Sequence, residues 1–277
     1  MLILNEPMSK HCSFRAGGVA QKFLTPKSLN GLSDFLKNNQ QPILMLGLGS
    51  NLLVRDKGFS GVVIKLTKLN KLEITNNIIY ADAGVTLAKL ARFCESQKLN
   101  GAEFLSAIPG SIGGALAMNA GCFGAEIWDY VDYVTTINAS GEVFERATAD
   151  FDIAYRQVTP HYKNEYFISA NFKFSQTHKQ QNIKSLLKKR NTSQPIGQSN
   201  CGSVFKNPPN YHAAKLIEES GLKGFCIGGA CVSDKHANFI INQNNASASD
   251  IENLIIHIQQ TVKSTFDIKL EMEVVII

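Results

Sequence analysis

Residues 43–61 read ILMLGLGSNLLVRDKGFSG, and this stretch decides which fold the chain can adopt. The apolar run Ile43–Leu46 breaks into Gly47-Leu48-Gly49-Ser50-Asn51, as when a strand leads into a glycine-rich phosphate loop. A Rossmann loop would need a third glycine at position 52, a long helix after it, and an acidic residue about 20 positions later. Position 52 is Leu52, and the turn residues Asp56-Lys57-Gly58 follow it closely. The stretch therefore argues against a Rossmann fold.

The first glycine loop, Gly47–Asn51, has two interpretations. Gly47 and Gly49 allow backbone N–H groups to approach an anion, and Ser50 and Asn51 add side-chain donors. The same residues could equally form a tight connection between two strands. The loop on its own favours neither interpretation.

A second glycine-rich stretch, AIPGSIGGALAMNAGCFGAE, occupies residues 107–126 and has no charged residue before Glu126. Its segment Pro109-Gly110-Ser111-Ile112-Gly113-Gly114 leads into small residues that leave the backbone bare, with room for a flat ligand. A close contact between a helix and a strand is the alternative for Gly113 and Gly114 individually. Two such loops in one half of the chain suggest a ligand with two phosphates, such as a dinucleotide.

Two further stretches contain residues that could perform chemistry. Ser203 lies between Gly202 and Val204, but no GxSxG elbow surrounds it and no histidine is evidently paired with it. Arg156 follows the strand-like FDIAY and could bind a carboxylate through two parallel hydrogen bonds. From the residues alone, the serine is a turn or cap residue and the arginine is a surface residue.

The composition is that of a globular protein with one large domain or two to three small ones. The chain has 277 residues, of which 44% are hydrophobic and 18% charged, and a formal net charge of +5. The one basic cluster, KSLLKKR at 184–190, has a helical pattern and reads as a solvated helix face, so no nucleic-acid partner is expected. Without a long apolar run or a signal-peptide pattern, we expect no membrane association and a cytoplasmic protein.

The six cysteines form no CxxC motif and no cluster with zinc-ligand spacing, so we expect no metal site. They are expected to be buried thiols in a reducing compartment.

The hydrophobic patterns predict an α+β fold with mixed or antiparallel sheets, because strands and helices do not alternate as βαβ units. The predicted helices are Ser28–Asn39, a helix capped by Thr86 that ends at Asn100-Gly101, residues 210–224 with Gly221 as the stop, and a helix that Ser249 opens with Glu252 in a capping box. The predicted strands are two hairpins, over 71–82 around Asn76-Asn77 and turning at 139–141, and the segments 165–174, 224–233, 237–242 and 268–277.

Together these segments resemble the UDP-N-acetylenolpyruvoylglucosamine reductases, flavoenzymes of peptidoglycan precursor synthesis. The resemblance covers nearly the whole chain. It rests on FRAGG, GLGSNLLVRDKGFSGVVI, AIPGSIGGALAMNAG, YRQ, QPIGQSNCGSVFKNP, KLIEESGLKG, GGACVSDKHANFIIN and LEMEV, in this order. The CGSVFKNP form and the absence of a long insertion between residues 207 and 240 are similar to the shorter subtype, which lacks an extra tyrosine-bearing loop.

The family implies the FAD-binding fold of the p-cresol methylhydroxylase and vanillyl-alcohol oxidase type. On this resemblance we expect FAD-binding subdomains at 1–66 and 67–178 and a substrate-binding domain at 179–277. We further expect a monomer that binds FAD without a covalent bond and uses NADPH as co-substrate.

The resemblance also implies a set of site residues. The expected FAD ligands are Gly47, Leu48, Gly49, Ser50, Asn51, Pro109, Gly110, Ser111, Gly113 and Gly114 at the diphosphate, with Asn119 and Gly121 near the isoalloxazine. The expected catalytic residues are Arg156, Ser203 and Glu273, and the expected substrate ligands are Tyr155, Lys206 and Asn207.

In the implied reaction, a hydride from FAD reaches the vinyl carbon of UDP-N-acetylglucosamine enolpyruvate. Negative charge then develops as an enolate, which Arg156 would stabilise and Ser203 would protonate. Glu273 is either protonated beside the substrate carboxylate or paired with Arg156, and Glu271 lies two residues away on the same strand face. The alternatives to this activity are an FAD-dependent oxidase on the same scaffold and a nucleotide-binding regulatory protein.

Overall fold

The computed structural model describes residues 2–177 and 182–277. Backbone contacts divide the chain into two compact units. Unit 1 takes the described residues within 1–3, 23–48 and 61–190, and unit 2 takes 4–22, 49–60 and 191–277. The expected three-part division remains a prediction, and its boundary at 178/179 lies outside the described residues.

The helices begin close to the predicted caps. They are α1 (Leu29–Lys37), α2 (Leu87–Ser96), α3 (Ile112–Ala117), α4 (Ile183–Ser193), α5 (Ala213–Glu219) and α6 (Ala248–Phe266). Ser28 and Thr86 cap α1 and α2 by accepting backbone N–H bonds, as predicted. The basic helix α4 buries none of its described side chains, which confirms its reading as a solvated helix.

The predicted capping box of α6 is wrong by two residues. Ser247, not Ser249, caps the helix, and its partner is Asp250 rather than Glu252. Ser249 instead donates its backbone N–H and its hydroxyl to the carboxylate of Asp56, at 2.9 and 2.7 Å. Because Asp56 is 193 residues away in the chain, the local pattern could not reveal this competing partner.

The strands are short, and most pair antiparallel. They are β1 (Leu2–Pro7), β2 (Val19–Leu24), β3 (Ile43–Leu46), β4 (Leu52–Leu53), β5 (Phe59–Lys65), β6 (Leu72–Thr75), β7 (Ile78–Asp82), β8 (Gly121–Cys122), β9 (Ala125–Glu126), β10 (Val131–Asn138), β11 (Val143–Ala147), β12 (Phe151–Ala154), β13 (Gln157–Pro160), β14 (Glu165–Lys173), β15 (Cys226–Ile227), β16 (Ala230–Val232), β17 (Ile240–Asn242) and β18 (Val275–Ile276). One sheet has the order β1-β2-β5-β3, and β3 is parallel to β5.

Unit 1 is built on a five-stranded antiparallel sheet of order β11-β10-β14-β7-β6. Its core contains apolar residues from α2, α3 and this sheet, such as Leu90, Leu116 and Phe172. The predicted hairpins over 71–82 and around 139–141 are confirmed. Asn76 and Asn77 both have positive φ, as a two-residue hairpin turn requires.

Unit 2 packs α5 and α6 with the sheet β15-β16-β17 around one apolar core. The segment 224–233 is a hairpin of two strands, not the single predicted strand, because the chain reverses at Gly228-Gly229. The segment 268–277 forms a strand only at its end, β18, which runs parallel to β4.

The expectation of six free thiols is wrong for two of them. Cys226 and Cys231 face each other across the β15–β16 hairpin, with Cα atoms 4.1 Å apart, and they form a disulfide. The hairpin register produces this pairing, and a spacing of five residues does not reveal it. Cys12, Cys94 and Cys201 are buried free thiols, and Cys122 is a half-buried one.

Candidate active site

In unit 1, the structure brings the two glycine loops together around one cavity. Gly47, Ser111, Gly113 and Gly114, which we call the cradle, line part of a cavity of about 260 Å³. A Cβ atom on Gly47 would collide with the Ser111 hydroxyl, so only glycine allows this approach. The lining does not include the expected ligands Leu48, Pro109 or Gly110.

Ser111 provides the observation that tests whether the cradle fits a phosphate group. Its side chain is 1% exposed and occupies the N-cap position of α3, yet it does not cap that helix. Its Oγ has no hydrogen-bond partner among the described residues. Leaving a buried hydroxyl unpaired costs about 1–3 kcal/mol, which a ligand oxygen at this position would offset. The cradle therefore fits the diphosphate of FAD.

Glu165 lies on the wall of the same cavity and was not predicted from the sequence. Its carboxylate accepts hydrogen bonds from Arg146 Nε, at 3.0 Å, and from Thr136 Oγ1, at 2.5 Å. The Arg146 guanidinium holds the pKa of Glu165 below its usual value, and the Thr136 hydroxyl adds to this effect against the desolvation that burial causes. The wall thus carries a fixed carboxylate beside a neutral hydroxyl and glycine backbone.

Arg156 lies on the two-residue turn between β12 and β13 and has a positive φ of 55°. Its guanidinium donates to the carbonyl oxygens of Asn119, at 3.2 Å, and Gly121, at 2.7 Å. The structure therefore brings Asn119 and Gly121, which the resemblance places near the isoalloxazine, together with Arg156, which it places at the substrate carboxylate. Tyr155 lies beside them, with its ring centroid 5.0 Å from Arg156 Cζ.

Asn119 holds this arrangement in place from inside the protein. It is 1% exposed, and its Nδ2 donates to Glu126 Oε2 at 2.6 Å and to the Ala154 carbonyl at 3.1 Å. Asn119 thus contacts both the residue that directly precedes the turn, Ala154, and the side chain of Arg156 within it.

In unit 2, Ser203 and Glu273 lie on neighbouring segments joined by backbone hydrogen bonds. Glu273 N–H donates to the Val204 carbonyl at 2.8 Å, and Lys206 N–H donates to the Glu271 carbonyl at 2.9 Å. Phe205 and Met272 form a bridge between these bonds. We call the two segments, residues 203–206 and 271–274, the serine platform. The platform brings two of the three predicted catalytic residues together.

The second part of the first glycine loop contacts this platform. Asn51 Nδ2 donates to the Glu273 carbonyl at 3.0 Å, and the Asn51 carbonyl accepts from Val275 N–H. Gly49 has a φ of +68°, and a Cβ there would collide with the His11 carbonyl. The expected contact of Asn51 with the diphosphate stays a prediction, and in the structure its amide donates to the Glu273 segment. Ser50 is half-buried beside it.

The two expected substrate ligands of unit 2, Lys206 and Asn207, have different contacts in the structure. Lys206 Nζ lies 3.7 Å from Glu271, whose side chain is largely exposed. Asn207 Oδ1 accepts from Ala213 N–H at the start of α5, which leaves its NH₂ group as the part able to donate to a ligand. Cys201, two residues before Ser203, is buried, and burial raises the pKa of its thiol to about 12. That thiol is therefore not a nucleophile at neutral pH.

Comparisons with known proteins identify both parts of the chain. The sequence profile of the FAD binding domain matches residues 20–146, and the profile of the UDP-N-acetylenolpyruvoylglucosamine reductase C-terminal domain matches 194–277. The α+β fold class is confirmed. The chain is an FAD-dependent flavoprotein, with the FAD-binding profile covering Gly47 and Ser111 of the cradle.

Full-length relatives define the family. A UDP-N-acetylenolpyruvoylglucosamine reductase from Coxiella burnetii is 46% identical and is matched over 100% of this chain and 95% of that protein. One from Legionella pneumophila is 48% identical, over 100% and 92%. The crystal structure of such a reductase from Thermus caldophilus has a TM-score of 0.82 at 27% identity, over 100% and 98%. The chain belongs to the UDP-N-acetylenolpyruvoylglucosamine reductase family and is an oxidoreductase of peptidoglycan synthesis.

Among the described residues, no helix is long and apolar enough to cross a membrane.

Proposed function

We propose that the chain reduces the enolpyruvyl ether of UDP-N-acetylglucosamine enolpyruvate to UDP-N-acetylmuramate, with NADPH as the reductant. The observation that carries this proposal is the serine platform, where a hydroxyl and a carboxylate lie on two segments joined by backbone bonds. The names of the relatives support the choice of substrate.

The cradle would hold FAD at its diphosphate without a covalent link, and the bound flavin would supply hydride chemistry for the terminal vinyl carbon of the substrate. Addition of a hydride to the vinyl carbon would move an electron pair to the carbon that bears the carboxylate, where an enolate would develop. Arg156 stabilises that charge, because its guanidinium is oriented in advance by the Asn119 and Gly121 carbonyls. Ser203 Oγ–H then donates its proton to the same carbon and regains one from solvent.

Glu273 lies near the substrate carboxylate in this reaction. Its backbone N–H is hydrogen-bonded to the Val204 carbonyl. Lys206, the NH₂ group of Asn207 and the ring of Tyr155 bind the nucleotide portion of the substrate. A cationic Lys206 suits a diphosphate, provided that it exchanges its contact with the exposed Glu271 for the ligand.

The test is a stopped-flow measurement of the two half-reactions. In Ser203→Ala, flavin reduction by NADPH stays near normal, while flavin reoxidation by the enolpyruvyl nucleotide slows by roughly 10²–10⁴-fold. Ser264→Ala, at an exposed serine of α6 in the same unit, serves as the control and leaves both steps unchanged. Equal slowing of both steps in Ser203→Ala would contradict the role of Ser203. Rapid reoxidation by oxygen without the nucleotide would instead favour an oxidase.

We also propose that the chain acts as a monomer in the cytoplasm, where both nucleotide substrates occur. Gel filtration with light scattering measures the mass, and a stable dimer would contradict the monomeric state.

The flavin should pass into the supernatant after acid precipitation, whereas flavin retained on the pellet would contradict non-covalent binding.

A further inference from the structure

Asn238 makes an unusual set of contacts with the segment that carries Ser203. It lies between β16 and β17 and is 4% exposed. Its Oδ1 accepts from Phe205 N–H at 3.0 Å, and its Nδ2 donates to the Phe205 carbonyl at 2.8 Å. Its backbone carbonyl accepts from Val204 N–H at 2.9 Å. Three hydrogen bonds thus join one residue to the two residues that follow Ser203.

The chain is held differently on the two sides of Ser203, and on the near side Gly202 N–H donates to Asn200 Oδ1 at 3.0 Å. Gly202 has a φ of +76°, and a Cβ atom placed on it would meet no atom within 4 Å among the described residues. On the other side of Ser203, Val204 is held twice, with its N–H bound to Asn238 and its carbonyl bound to Glu273 N–H. The position of Ser203 therefore depends on Gly202 before it and on what holds Val204 and Phe205 after it.

We propose that Asn238 is a positioning residue that holds Ser203 in register with Glu273. This inference rests on the proposed function, in which Ser203 is the proton donor. Asn238 does not touch the substrate in this role. It acts through the backbone of Val204 and Phe205, as a neighbouring strand would in a sheet.

The chemistry of the contact requires an amide side chain. Phe205 presents one donor and one acceptor, and only an amide returns an acceptor and a donor at the matching spacing. An aspartate would place a second oxygen against the Phe205 carbonyl, and an alanine would leave both buried backbone groups unpaired. A bent or shifted Val204 would then move the Ser203 hydroxyl, and displacements of about 1 Å in such groups are costly to rate.

Asn242 offers a matched control in the same unit. Its Nδ2 donates to the Phe14 carbonyl at 2.9 Å and its Oδ1 accepts from Ala246 N–H at 2.8 Å. Asn242→Ala therefore also removes two side-chain bonds to backbone, but those bonds do not involve the segment that carries Ser203.

The experiment compares Asn238→Ala, Asn238→Asp, Asn242→Ala and Ser203→Ala as flavin-loaded enzymes, at temperatures where each is folded by circular dichroism. In both Asn238 variants, flavin reoxidation by the enolpyruvyl nucleotide slows at least tenfold, with an increased solvent deuterium isotope effect. Their flavin reduction by NADPH and their substrate affinity stay within about twofold of the starting enzyme. Asn242→Ala keeps all these rates.

The outcomes separate the inference from the function on which it rests. If Ser203→Ala slows reoxidation but the Asn238 variants do not, the positioning role is wrong and the proposed function survives. If Ser203→Ala has no selective effect, the proposed function itself is wrong. If neither Asn238 variant folds, amide hydrogen exchange on the unaltered enzyme decides. Slow exchange at Phe205 N–H, compared with the N–H of the exposed Asn207, supports the positioning role of Asn238. Rapid exchange at Phe205 N–H overturns it.

Discussion

The cradle of unit 1 and the serine platform of unit 2 are built in opposite ways. The cradle is made of glycine backbone and a buried hydroxyl with no described partner, so it has unused hydrogen-bonding capacity. The platform is held by backbone hydrogen bonds at the N–H and carbonyl groups of Val204 and Phe205 and at the N–H of Lys206. A ligand site needs spare donors, whereas a group that transfers a proton needs an immobile support. We therefore propose that unit 1 retains the cofactor and that unit 2 carries out the protonation.

Arg156 gives the largest expected effect. It belongs to unit 1 but is proposed to act on the reaction, so it tests the division between cofactor binding in unit 1 and chemistry in unit 2. In Arg156→Lys the charge remains, but a single ammonium cannot keep both the Asn119 and the Gly121 carbonyl bonds in the same geometry. We expect flavin reoxidation to slow by about 10²- to 10³-fold with little loss of bound FAD.

Stopped-flow kinetics and the flavin absorbance per chain measure these two quantities. Arg92→Lys, at an exposed position of α2, is the control and should change neither. Loss of FAD in step with the loss of rate would show that Arg156 serves the cofactor, and the division would fail.

Gly47→Ala tests the cradle itself. The added Cβ would displace the Ser111 hydroxyl, which would then no longer reach a phosphate oxygen. We expect FAD affinity to weaken about 10- to 100-fold, the loss of one hydrogen bond to a charged group. Titration of the apoprotein with FAD, followed by flavin fluorescence, measures the dissociation constant.

Gly31→Ala is the matched control for that variant. Gly31 lies within α1 of the same unit, where a Cβ would lie 3.3 Å from Ser28 Oγ, and alanine is a better helix former. FAD affinity should not change in this variant. Unaltered affinity in Gly47→Ala as well would remove the cradle from the flavin site.

The Cys226–Cys231 disulfide of unit 2 is expected to affect the stability of the fold but not the rates of the half-reactions. The closed loop is short, so Cys226→Ser should lower the free energy of unfolding by about 2 kcal/mol without changing the half-reactions of the folded enzyme. Denaturant titration measures the first effect. In the unaltered protein, thiol counting under denaturing and non-reducing conditions should find four free thiols, and a count of six would show that the disulfide is absent.

Glu165 gives the smallest expected effect, a change in pH dependence. Its pKa is lowered in the folded state, so the stability that it contributes is present above the ordinary value of 4.5 and is lost as the pH falls below that value. In Glu165→Gln, the unfolding free energy should therefore decrease less steeply on acidification through this range. Parallel pH profiles for the two proteins would contradict a lowered pKa of Glu165 in the folded state.

The glycine loops show why part of the site could be predicted. Gly47 and Ser111 belong to local patterns of small residues. Because such residues leave the backbone accessible, their types alone indicate that a close approach is needed there. Helix caps at Ser28 and Thr86 are equally local. The capping box of α6 failed because Asp56 competes from a distant position.

The supporting residues could not be predicted in the same way. Asn238 lies 33 residues from Phe205, and Arg146 reaches Glu165 from another strand of the sheet. An asparagine or an arginine in a sequence does not indicate which distant carbonyl or carboxylate it will meet. The disulfide was missed for a similar reason, since the pairing of Cys226 with Cys231 depends on the hairpin register.

By itself the sequence determined the α+β class, the two phosphate-type loops, the exclusion of a Rossmann loop and, through its motifs, the resemblance to the family. The tertiary structure alone decided that Gly47 meets Ser111, that Arg156 is held by Asn119 and Gly121, and that Asn238 clamps the segment after Ser203. The physical reason is the distance along the chain over which each kind of interaction acts. Backbone conformation depends on the residue and its neighbours, whereas hydrogen-bond partners depend on which distant segments folding brings within about 3 Å.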